Sequence, residues 1–304
     1  MTIWQAILLG IIQGLAEFLP ISSKGHLAVT QFLLGKNIDL SFDVLLHFAT
    51  LVAIVMVLWD DIWSLRAARR RLILPLVLGS IPAAIVGLLF KEHFEAAKHS
   101  MLAAGMGFIA TGVVLAVGER LGRNKQQKKH LSGIGFADAI VVGCAQAVAL
   151  LPGVSRSGMT ISGALTRGVN REDCVRFSFL LALPAMAGAC LLERKEILTA
   201  LHGPDVLPTV IATMASFVSS VLAIKLLLSI VRTVPVSVFS YYLLPLGMLL
   251  VAFYAPEPVS RWTVSLLRIA PETARILSYA LIAVFVTIVI RLVFFGLLRR
   301  EQSA

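Results

Sequence analysis

The chain has 304 residues, 58% of them hydrophobic and only 14% charged, with a mean hydropathy of +0.88. Soluble domains carry about 25% charged residues, and several apolar runs here approach bilayer length, so a soluble helical bundle is strongly disfavoured against a membrane protein. In a soluble protein the net charge of +10 would suggest a nucleic-acid partner, but the basic residues gather in short loops between apolar runs, as cytoplasmic loops beside anionic lipid do.

In chain order, the first element is the least expected. Residues 1–35 are apolar, yet they carry "QGLAEFLPISSKGHL" (13–27) around the helix-breaking Pro20. No basic flank precedes the apolar run and Glu17 interrupts it, which argues against a cleaved signal peptide. Spanning segments are predicted at 42–59, 73–90, 101–117, 176–192, 206–230, 239–254 and 276–298. The loop 60–72 holds Arg66, Arg69, Arg70 and Arg71, and the loop 118–131 holds Arg120, Arg123, Lys125, Lys128 and Lys129, which places both inside. The tail ends in Arg299 and Arg300 and is also placed inside. Parity then requires 132–165 to enter from the inside and return there, as a re-entrant hairpin lining a cavity. Cys144, Cys174 and Cys190 fit neither zinc spacing nor a disulfide framework and read as core residues.

The two polar stretches resemble each other. "AILLGIIQGLAEFLPISSKG" (6–25) aligns with "AIVVGCAQAVALLPGVSRSG" (139–158), matching Gly10 with Gly143, Gln13 with Gln146, Pro20 with Pro152, Ser23 with Ser155 and Lys24 with Arg156. If 1–35 is also a hairpin, it opens on the outside. The reading is an all-α polytopic protein: an inverted repeat (1–131 and 132–256), each half a hairpin followed by three spans, with 257–304 an extension carrying one more span.

The hairpin tips hold the chemistry. Gln13 and Glu17 share a helix face just before the break. Ser22 and Ser23 are placed to cap the half-helix that begins near Lys24, Gly25 and His26, and its free N–H groups suit an anion. At the second tip, Gly153 and Gly158 allow a tight turn and close approach. Ser155 and Ser157 offer hydroxyls, Arg156 offers a planar fork for phosphate oxygens, and Thr160 lies one turn further. The set suits a phosphate or diphosphate. Plainer readings stand beside it: His26 as a buried hydrogen-bonded ring, the serines as caps, Arg156 paired with Glu17 as a buried ion pair. A carboxylate in a membrane segment is costly enough to favour function. Asp43 and His47 share a face of the next span, and whether His47 lines the cavity is open. Lys225 is alone in its span and reads as snorkelling or paired.

The motif Gln13, Glu17, Pro20, Ser22, Ser23, Gly25, His26, with its partner Pro152, Gly153, Ser155, Arg156, Ser157, Thr160, resembles the undecaprenyl-diphosphate phosphatase family linked to bacitracin resistance. "FDVLLHFATLVAI" and "FSFLLALPA" are also similar to family segments, and the likeness covers about residues 1–255. It implies hydrolysis of undecaprenyl diphosphate to the monophosphate, recycling a cell-wall lipid carrier in the bacterial plasma membrane. It further implies a need for Mg²⁺ or Ca²⁺ and a site opening to the outer face. Gln13 stands where the family often has Glu, removing one metal carboxylate. The expected roles are Arg156, Lys24, the serines and hairpin N–H groups holding diphosphate. A cation bridges phosphate to Glu17, with or without Gln13. Ser23, favoured by the resemblance, or water attacks phosphorus, and His26 or Glu17 carries the proton. The rival is a flippase of polyprenyl phosphate or a small-anion carrier. Homo-oligomerisation is left open.

Overall fold

The computed structural model describes residues 1–36, 39–97, 100–124, 129–202 and 206–255. The extension from 257, with its expected span at 276–298, lies outside the described residues. The rest is helical: α1 (Ile3–Phe18), α2 (Ser23–Leu34), α3 (Leu40–Val57), α4 (Trp59–Ser64), α5 (Ile73–Leu89), α6 (Lys91–Ala97), α7 (Met101–Asn124), α8 (Phe136–Val148), α9 (Arg156–Thr166), α10 (Arg171–Leu192), α11 (Arg194–His202), α12 (Val206–Ile230) and α13 (Ser240–Tyr254). Six helices among the described residues are long and apolar enough to cross a bilayer, and they fall on the expected segments. Two differ in length. Helix α7 continues to Asn124 rather than stopping near 117, and α10 starts at Arg171 rather than 176. Apolarity marks only the lipid-buried stretch. The extra turns are charged and capped, as where the Asn170 side chain accepts the Asp173 N–H at 2.9 Å.

Ion pairs sort the loops into two ends. Asp61, after α3, is paired with Arg69 and with Arg176 of α10. Glu172 pairs with Arg176 at 3.1 Å and with Arg232, after α12, at 2.8 Å. Glu119, near the end of α7, is paired with Arg171. The loops carrying most of the arginines therefore share one end. At the other, Lys91 and Glu193 approach to 3.9 Å.

The hairpins enter from opposite ends. Helix α2 finishes at the Lys91–Glu193 end, one short loop before α3 starts there. The second hairpin opens at the arginine-rich end, where Asp138 of α8 binds Lys129 at 2.7 Å and Arg167, just past α9, at 2.8 Å. Each first arm packs on a span of the other half through a glycine. A Cβ on Gly10 would lie 2.2 Å from the Ala212 carbonyl oxygen of α12, and one on Gly143 would lie 2.3 Å from that of Gly79 on α5. Phe18, at the end of α1, packs edge-on against Phe179 of α10 with centroids 5.3 Å apart. The two tips thus meet inside one core.

Candidate active site

At the first tip, α1 ends at Phe18, Leu19 is extended, and Pro20 closes the helix. Ser22 follows with φ 74°, the only positive φ at a non-glycine among the described residues. Such a conformation costs about 1–3 kcal/mol and persists only where its surroundings hold it. Ser22 caps α2, its hydroxyl accepting the Gly25 N–H at 3.3 Å. Ser23 thereby becomes the first residue of α2.

At the second tip Gly153 supplies the left-handed turn (φ 77°). The Ser155 hydroxyl caps α9 by accepting the Gly158 N–H at 3.1 Å, and its own N–H donates to Thr111 Oγ1 at 3.0 Å. Ser157 donates to the Leu19 carbonyl at 3.1 Å, joining tip to tip. Helix α7 braces both. A Cβ on Gly25 would meet the Phe108 ring at 2.4 Å, and one on Gly153 would meet the Ala104 carbonyl at 2.5 Å.

Glu17 is the junction. Its Oε1 accepts from Arg156 Nη2 at 2.6 Å, and its Oε2 accepts from Ser23 Oγ at 2.6 Å and from Gln13 Nε2 at 3.2 Å. His47 Nε2 lies 3.8 Å from the same oxygen, and His47 Nδ1 lies 2.9 Å from the Asp43 carbonyl. The carboxylate and the guanidinium are 8% and 19% exposed, so the pair is largely desolvated and each charge depends on the other. Gln13 Oε1 and Arg156 Nη1 are buried with no hydrogen-bond partner among the described residues. Buried polar atoms of this kind are unusual unless something else meets them.

The structure does not bring every expected residue to that junction. His26 sits behind it: Nδ1 binds the Ser22 carbonyl at 2.8 Å and Nε2 binds Tyr242 Oη of α13 at 2.8 Å. The Thr160 hydroxyl is spent on the Arg156 carbonyl at 2.8 Å and on Ser178 Oγ at 2.5 Å, and so steadies the first turn of α9. The Ser22 and Ser155 hydroxyls each accept the capping N–H of the helix that follows. Lys24 is exposed and borders a cavity of about 290 Å³ that is also lined by Asp43, His47, Pro152, Lys91 and Glu193. This cavity leads from the Lys91–Glu193 end to the tips. Sequence reasoning left His47 open and passed over Tyr242. The one available signal for the latter is "SYYLLP", in which helical spacing turns Tyr241 out (83% exposed) and Tyr242 in (7%).

For a divalent cation the donor set is sparse. Among the described residues no three His, Cys, Asp or Glu side chains lie close enough to hold a metal. A hard cation that keeps its waters and rides on phosphate needs only one or two protein oxygens. Glu17 and the unpartnered Gln13 Oε1 fit that lighter demand.

Two inverted hairpins that meet around a cationic, hydroxyl-bearing pocket, among six helices long and apolar enough to span a bilayer, define a polytopic membrane protein with a site suited to an anionic headgroup. The chain belongs to the family described as bacitracin resistance protein BacA, which it matches over residues 6–249. It is 42% identical over 260 residues to an undecaprenyl-diphosphatase of Carboxydothermus hydrogenoformans, covering 84% of this chain and 98% of that one. It is 39% identical over 256 residues to one of Halothermothrix orenii (83% and 98%) and 40% identical over 250 residues to one of Rhodopirellula baltica (81% and 96%).

Proposed function

We infer that the chain is an undecaprenyl-diphosphatase. It hydrolyses undecaprenyl diphosphate to undecaprenyl phosphate and inorganic phosphate, returning the lipid carrier to cell-wall synthesis. The observation that carries the catalytic assignment is the contact of Ser23 Oγ with Glu17 Oε2 at 2.6 Å, beside Arg156.

The diphosphate brings more negative charge than Glu17 and draws Arg156 onto its oxygens. The exposed Lys24 and the N-termini of α2 and α9 add to the attraction. Ser23 Oγ attacks the terminal phosphorus while Glu17 Oε2 accepts its proton. The P–O bond to the bridging oxygen breaks and undecaprenyl phosphate leaves with that electron pair. Water then cleaves the phosphoserine and the Ser23 proton is restored. Direct attack by water, with Glu17 as base, is the competing route. A bound Mg²⁺ or Ca²⁺, held by Glu17 and Gln13, would draw charge off the phosphate oxygens.

The cavity mouth lies at the end away from the arginine-rich loops. The positive-inside rule makes that end the outer one, so substrate comes from the outer leaflet of the plasma membrane.

Phosphate release from undecaprenyl diphosphate, measured on the purified protein in detergent, tests the assignment. Ser23→Ala and Arg156→Ala are expected to abolish turnover, and acid quenching of the wild type should trap phosphate on Ser23. Full activity in either variant would remove that residue from the site. A chelator is expected to stop release, and added Mg²⁺ or Ca²⁺ to restore it.

A further inference from the structure

The His26 ring has both nitrogens engaged, and neither reaches Ser23 or Glu17. The Ser22 carbonyl can only accept, so Nδ1 carries a proton toward it. In the neutral ring Nε2 is then an acceptor, and Tyr242 Oη donates to it at 2.8 Å. The ring also packs on Phe108 of α7, with centroids 4.9 Å apart.

The donor is itself well fixed. Tyr242 lies in the first turn of α13, which is pinned to α7 where Ser240 Oγ donates to the Gly112 carbonyl at 2.7 Å. The preceding turn is held where the Val236 N–H donates to Glu119 Oε2 at 3.1 Å. What this relay ends on is Ser22, the one strained non-glycine residue of the described chain, immediately before the nucleophile. A strained turn needs its surroundings to hold it, and the His26 ring adds a second bond to the Ser22 carbonyl, which already accepts the His26 N–H at 3.2 Å.

We propose that Tyr242 is a positioning residue for the reaction: through His26 it grips the Ser22 carbonyl and so fixes the turn that presents Ser23 to Glu17. His26 is then the middle of a brace, and Glu17 alone takes the serine proton. Helix α13, more than two hundred residues from the tip in sequence, sets the aim of the nucleophile. The proposal rests on Ser23 being the attacking group.

The test measures kcat and KM on the full-length enzyme with undecaprenyl diphosphate, together with thermal unfolding of each variant. Tyr242→Phe keeps the ring and removes the donor, and is expected to lower kcat about tenfold with KM within about twofold. His26→Ala should be far slower. His26→Asn, whose side-chain N–H can stand in for Nδ1–H, should recover about tenfold or more of that loss, although it has no basic nitrogen. Adding Tyr242→Phe to His26→Asn should cost little more, since the relay is already cut. Wild-type kcat in Tyr242→Phe overturns the proposal. So does a folded His26→Asn enzyme as inactive as His26→Ala, which would make the imidazole a proton carrier. Should Tyr242→Phe fail to fold, the His26→Asn comparison decides. An active Ser23→Ala enzyme would overturn both the nucleophile and the brace. An inactive one beside an unimpaired Tyr242→Phe overturns the brace alone.

Discussion

Desolvating Glu17 and Arg156 is offset by their attraction only while both are present. Removing one partner leaves a buried charge and costs about 3–5 kcal/mol, whereas replacing both with neutral groups of similar size is close to neutral. Glu17→Gln and Arg156→Met should therefore each lower the unfolding temperature in detergent, and the double variant should regain most of that loss. All three should remain at least about a hundredfold slower than wild type, because the base, the phosphate fork or both are gone. Stability that returns without activity separates the two roles of the pair. A double variant no more stable than the singles would show that the pair is not coupled in this way. At this scale the sequence was informative where chemistry was expensive. Glu17 and Arg156 stood out because charge in an apolar segment needs a reason. The place of His26 could not be read, because it depends on a tyrosine 216 positions away.

Among the helices, the matched glycines explain why the two stretches look alike. Gly10 and Gly143 each let a hairpin arm touch the backbone of a span from the other half, and no methyl group fits there. Gly10→Ala and Gly143→Ala must push the helices apart, at about 1–3 kcal/mol each, which lowers the unfolding temperature by roughly 2–10 °C. Gly188 on α10 has nothing within 4 Å of a built Cβ, so Gly188→Ala is the control and should leave that temperature unchanged. Equal effects at all three positions would refute the packing argument. The second hairpin was readable from parity, counted between the arginine-rich loop 118–131 and a tail placed inside, and the first from its likeness to the second. The hydroxyl partners were legible in part. Ser22 reads as a cap from its place at the break and accepts the Gly25 N–H, whereas the Ser155 cap on Gly158 and the Thr160 bond to the Arg156 carbonyl do not show in the spacing. Which partner a hydroxyl takes is decided by atoms that sequence spacing does not place.

For the whole molecule, the loops fall into two sets joined by ion pairs, and the cavity opens on only one of them. Asp61, Glu119 and Glu172 gather arginines from the loop 60–72, the start of α10 and the loop after α12 at one end, so these segments cannot lie on opposite sides of a bilayer. Lys91, 56% exposed, and Glu193 mark the other end, beside the cavity mouth. An enzyme that takes its lipid from the outer leaflet must face Lys91 outward. The test uses a chain freed of Cys144, Cys174 and Cys190, with one cysteine restored at a time in intact bacterial cells. Lys91→Cys should react with a membrane-impermeant maleimide from outside. Arg123→Cys, at a side chain 62% exposed on the arginine-rich end, should react only after permeabilisation. The reverse pattern would turn the cavity toward the cytoplasm. Substrate would then have to arrive from the inner leaflet, and the positive-inside argument would fail for this chain although the ion pairs stayed as they are.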